Sequence, residues 1–147
     1  MTITDLLRAE HAAFNAILKE IEAVLPGAAT LGELRILARV MAGFLQQHGQ
    51  KEDDLLFPAV DQMQAQRGHL EEMTREHEEL DRQIREVAKN MDLNKARQQL
   101  GQLIHAVRRH FEHEERHLFP LAEEVLRAEN LAALSGAAGQ TARVAGS

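Results

Sequence analysis

The chain predicts an all-α protein, an up-down-up-down four-helix bundle. Three observations carry this. Apolar residues recur in alternating steps of three and four along four long segments, the period of a helix with one buried face. Proline and glycine are sparse, three and nine among 147 residues, so little interrupts those segments. The two halves of the chain also repeat one another in order, as two helical hairpins packed together would.

Each element can be read in turn. Thr4-Asp5 signals an N-cap, and the first helix runs from there to Pro26-Gly27 with Leu7, His11, Phe14, Leu18, Ile21 and Leu25 on one stripe. A second run starts near Thr30 and continues to about Arg67-Gly68; its stripe is Leu34, Leu37, Met41, Phe44, His48, Glu52 and Leu55. Pro58 lies inside it and should kink or break the helix. The third run, about His69 to Asn90, offers Leu70, Met73, His77, Leu80, Ile84, Val87 and Met91. Asp92 or Asn94 caps a fourth, which carries Leu93, Ala96, Leu100, Leu103, Val107, His110, Glu114, His117 and Leu121 to about Ala128, with Pro120 inside it. The expected organisation is a bundle over residues 1–130. Residues 131–147, small and Gly-rich, form a flexible or partly ordered tail that should fray.

Composition narrows the function. There is no cysteine, which excludes thiolate ligands, chain-held iron–sulfur clusters and disulfides, and fits a reducing, cytoplasmic location. Tyrosine and tryptophan are also absent, so near-ultraviolet absorption beyond weak Phe bands would come from a bound cofactor. A formal net charge of −6 argues against nucleic acid as a partner. No basic leader precedes an apolar run, and no uncharged stretch of about 18 residues could span a membrane. A monomer or a homodimer is expected.

The chemistry lies in the repeat. His48-x-x-x-Glu52 recurs as His110-x-x-x-Glu114, and each copy follows a lone histidine, His11 and His77. All six sit where a bundle interior would otherwise take Leu or Ile. Buried groups of this kind are costly unless compensated. A His and a Glu at i, i+4 share a helix face, so both can reach one metal, or the Glu can span two. Two metals, each with two imidazoles and both carboxylates as bridges, would satisfy all six. At roughly 1.5 Å per residue the candidates fall at one level to within about a turn, except across the middle connection, where a break at Pro58 and a longer link are expected. Such a ligand set suits iron, zinc, manganese or copper. A lone core histidine is more often an ordinary satisfied residue, and an inward Glu can merely neutralise a His. Six such groups, duplicated in order on four seams, favour metal. His69 sits at a helix start and His113 lies off the seam. His117 is on the seam one turn past Glu114, but its counterpart in the first half is Leu55. None of these three is placed in the set.

From Thr4 to about Arg127, the order His11…His48-x-x-x-Glu52…His77…His110-x-x-x-Glu114 resembles the hemerythrin-like family, in the branch described by its His-His-Glu cation-binding motif. The resemblance implies a hemerythrin-like bundle with two iron ions and an oxo or hydroxo bridge, zinc or manganese ranking behind iron. His11 and His48 would bind one iron, His77 and His110 the other, and Glu52 and Glu114 would bridge. The oxygen carriers of the family have a further histidine one turn before the His77 position, where this chain has Met73. Their second carboxylate is Asp at i+5, against Glu114 at i+4 here. Both irons would then have open positions. That implies binding or reaction with O2, peroxide or nitric oxide rather than guarded oxygen carriage, and leaves catalase- or peroxidase-like turnover open. The same set resembles di-iron proteins that repair iron–sulfur clusters and an iron-sensing domain. An iron or oxygen sensor or iron buffer therefore stands as the alternative, and a metal-free interaction bundle as the third reading.

Overall fold

The computed structural model describes residues 1–63 and 67–145. Its helices are α1 (Ile3–Val24), α2 (Leu31–Lys51), α3 (Phe57–Gln62), α4 (Arg67–Lys89), α5 (Leu93–His113), α6 (Phe119–Val125) and α7 (Ala128–Ala145). The architecture is all-α, with no strand among the described residues. Helices α1, α2, α4 and α5 make the bundle. Short turns join α1 to α2 and α4 to α5, and α2 packs on both helices of the second hairpin.

The caps show why the helices start where they do. Thr2, not Thr4, caps α1: its hydroxyl accepts from the Asp5 N–H while Asp5 accepts from the Thr2 N–H. Thr30 and Glu33 make the same reciprocal pair at α2. Asp92 caps α5 by accepting from the Lys95 N–H. Thr4 is instead fully buried in the first turn of α1.

The prolines do not break the chain as expected. Pro58 and Pro120 are each preceded by one widened turn, Glu52–Leu56 and Glu114–Leu118, where the Phe57 and Phe119 N–H groups donate five residues back to the Glu52 and Glu114 carbonyls. A proline ring would collide with the carbonyl four residues earlier in a regular helix, and a wider turn relieves that. The extra residue also advances the buried face by one position. Leu56 is buried where Leu55 was expected, and Leu118 and Ala122 are buried where His117 and Leu121 were. The second run ends at Gln62 and not at Arg67-Gly68, which already belong to α4. Met91 falls beyond α4 and is exposed.

The C-terminal segment carries one more helix. Through Ala145 it forms helix α7, which packs on α1 and on the widened turn after α2. Leu131 and Ala138 are buried there, and Leu134 packs beside them, a 3–4 spacing inside a segment of small residues.

Two apolar clusters result. One, near the hairpin turns, contains Leu18, Ile21, Met41, Leu103 and Phe111; the other contains Ile3, Leu7, Leu56, Met73, Phe119 and Leu131. The His11 ring stacks on Phe111 of the first at 4.1 Å and on Phe119 of the second at 5.4 Å. The polar layer therefore lies between the two cores.

Candidate metal centre

All six predicted residues come together in that layer. His11, His48, Glu52, His110 and Glu114 are at most 3% exposed, and the His77 side chain is 15% exposed. They form two overlapping groups, His11, His48, Glu52 and Glu114, and Glu52, His77, His110 and Glu114. Within each group one ligand atom per residue lies within 4.8 Å of the others. Glu52 reaches His48 Nε2 at 3.4 Å with one oxygen and His77 Nε2 at 3.1 Å with the other. Glu114 does the same between His11 Nε2 at 3.0 Å and His110 Nε2 at 2.6 Å. Each carboxylate thus stands between the two groups.

The far side of each imidazole is held by a carboxylate. His48 Nδ1 donates to Glu10 at 2.7 Å and His110 Nδ1 to Glu76 at 2.9 Å, each within its own hairpin. His11 Nδ1 donates to Glu115 at 2.9 Å and His77 Nδ1 to Asp53 at 3.2 Å, each across to the other hairpin. In a neutral ring a proton fixed on Nδ1 leaves the lone pair on Nε2, the arrangement that outer carboxylates impose on metal-binding histidines. Yet His11 Nε2 and His48 Nε2 face each other at 3.0 Å. Two lone pairs at that distance repel unless a cation or a proton lies between them.

The carboxylates tell the same story. Both oxygens of Glu52 and both of Glu114 are buried with no hydrogen bond of acceptable geometry among the described residues, as is His77 Nε2. Leaving such atoms unpaired is expensive. Protons compensate in part when nothing else does. Burial opposes charge on His48, but Glu52 and the bond to Glu10 hold its pKa well above the ordinary imidazole value. Against the same penalty His77 is pushed up to about 12 by Asp53 and the two core glutamates. His110 rises to about 9 through Glu114 and Glu76. Glu114 is held well below the carboxylate range, because the neighbouring His110 charge outweighs its burial. The donor set therefore fits a pair of cations, which would supply the charge that protons supply here.

The outer carboxylates were not assigned from sequence. Their signal was present in the doublets Glu10-His11 and Glu76-His77, and in the acids that follow each core glutamate, Asp53 and Glu115. What they would touch was not legible, because each reaches a different helix. His117 does not join the centre. It is exposed, and its ring lies parallel to His69 at 6.1 Å and edge-on to His113 at 5.1 Å.

One side of the layer opens outward. A pocket of about 150 Å³ is lined by Gly49, Asp53, His77, Leu80 and His110 among others. A β-carbon at Gly49 would sit 3.8 Å from the His77 ring, so this glycine borders the opening.

The sequence model of one protein family, described as Hemerythrin HHE cation binding domain, matches residues 2–122 and also residues 83–139. No curated protein and no solved structure gives a significant match.

Proposed function

Since the chain belongs to the hemerythrin HHE cation binding domain family, we propose that it holds two iron ions at this centre and binds or reacts with O2, peroxide or nitric oxide there. His11 and His48 would hold one ion, His77 and His110 the other, and Glu52 and Glu114 both. The observation that carries this reading is the convergence of four imidazoles on four buried carboxylate oxygens that have no hydrogen bond of acceptable geometry among the described residues. An iron pair, when bound, supplies two adjacent one-electron redox centres with room for a small ligand.

The chain's own residues define what can approach. Phe111, Phe119 and Met73 are essentially fully buried and keep water from the inner faces. The opening beside His77 is small, about 150 Å³, and admits diatomics and peroxide. Met73, in place of the carriers' additional histidine, leaves the His77 side one imidazole poorer, which supports reactivity over storage.

Elemental analysis of protein purified without added metal is the first test. Two irons per chain are expected, falling towards none in His48→Ala and Glu114→Ala. Zinc alone would remove the redox reading, and no metal at all would return the chain to an interaction bundle.

The uncompensated carboxylates also favour the sensor or buffer reading, since a centre so costly when empty couples folding to iron. Peroxide added to iron-loaded protein separates the two. Oxygen release over many turnovers supports a reactive protein. Stoichiometric bleaching, with a large loss of helicity on chelation, supports a sensor or buffer.

A further inference from the structure

Outside the buried centre, His69, Glu72 and His113 each offer a ligand atom, and these lie within 4.8 Å of one another. We propose that this cluster is a second, surface metal site that takes a divalent transition metal such as zinc. It does not depend on what the buried centre holds.

Three observations carry it. First, the His69 Nδ1 atom is shielded from solvent and has no hydrogen-bond partner among the described residues. An imidazole nitrogen left so is a vacant donor or acceptor, and a metal would satisfy it. Second, the site breaks the symmetry of the duplicated halves at one informative position. In the first hairpin Glu10 is capped by Lys51 Nζ at 2.5 Å. In the second the equivalent Glu76 is capped by His113 Nδ1 at 3.0 Å. An ammonium has only donors. An imidazole can cap the same carboxylate with Nδ1–H and still offer Nε2 to a metal. Third, an open pocket of about 550 Å³ is lined by Glu72, Glu76 and His113, so a hydrated ion can reach two of the three residues directly.

Arg75 and Arg109 line that pocket too. Selection therefore rests on the two imidazoles, which bind as neutral ligands, and not on net negative charge. That favours zinc and its neighbours over calcium or magnesium, which take oxygen ligands. His117, parallel to the His69 ring and edge-on to that of His113, limits how they can turn. The link through Glu76 to His110 makes the site an outer neighbour of the buried centre, joined to it by one carboxylate.

The test is equilibrium dialysis of the full chain against Zn²⁺, with zinc and iron both counted by elemental analysis. His113→Lys reproduces the pairing of Lys51 with Glu10, and so removes a ligand while keeping Glu76 capped. His69→Gln removes the other imidazole independently. Wild type should bind one more zinc than either variant, with no change in iron and with matching circular dichroism. Equal zinc in all three chains would overturn the proposal, as would variants that lose iron while retaining the extra zinc. The difference of one zinc stands even if the buried centre carries no iron.

Discussion

At the residue scale, the outer carboxylates are where the geometry makes its sharpest claim. Glu76 is held below the ordinary carboxylate range, its burial outweighed by bonds from His110 and His113. It therefore remains an acceptor at neutral pH. Glu76→Gln, or Glu10→Gln in the other hairpin, would replace a charged acceptor with an amide and loosen the ring orientation. Removing partners of this kind typically costs about 10–100-fold in metal affinity. Competition with a chelator of known affinity reads that loss; unchanged affinity in both variants would show that the contacts do not serve metal binding. Gly49→Leu addresses access instead. It should leave metal content intact and slow the binding of azide, because a larger side chain would crowd the His77 opening.

At the element scale, the widened turns and α7 decide how the six residues are presented. Each widened turn begins at a core glutamate. An extra residue there turns Leu56 and Leu118 inward and leaves His117 outside. The sequence displayed both prolines, but a kink, a break and a widened turn share the same local signal. Choosing among them depends on which face the neighbouring helices bury. Helix α7 was illegible for a related reason. Its small residues carry little periodicity, and contact with α1 and the widened turn after α2 makes Leu131 and Ala138 core positions. Truncation after Arg127 should therefore destabilise the chain, and Leu131→Ala alone should cost about 2–4 kcal/mol, as buried leucines do. Chemical denaturation measures this. Metal content should survive, since every proposed ligand precedes Arg127; loss of metal on truncation would mean that α7 shapes the centre itself.

At the scale of the whole molecule, the centre ties stability to metal and to pH. In the metal-free chain the raised values of His48, His77 and His110 mean that folding binds protons more tightly than unfolding. That stabilisation is complete below the unfolded imidazole value of 6.5, and is lost as pH rises through about 9 for His110 and towards about 12 for His77. Glu114 has the opposite sign. Its contribution is present above the unfolded value of 4.5 and is lost as pH falls below it. Metal-free protein should thus be most stable between roughly pH 4.5 and 6.5 and decline above that. Metal displaces those protons, so its stabilisation grows over the same range. Thermal melts of loaded and chelated protein should diverge from pH 6 to pH 9, and a constant gap would contradict the proton count. With free metal at 1,000 times Kd, each site adds about 4 kcal/mol.

Helical period, sparse punctuation and the duplicated His-x-x-x-Glu motif are local or nearly local signals. By themselves they determined the bundle and singled out six residues on its inner face; which histidines share a group was implied by the family resemblance and is drawn together by the fold. Contacts between helices decided the rest: the carboxylates behind each imidazole, the widened turns before Pro58 and Pro120, the docking of α7 and the gathering of His69, Glu72 and His113. Each of these depends on which side chain from a distant segment arrives at a given place. A one-residue shift in a single turn is enough to change that.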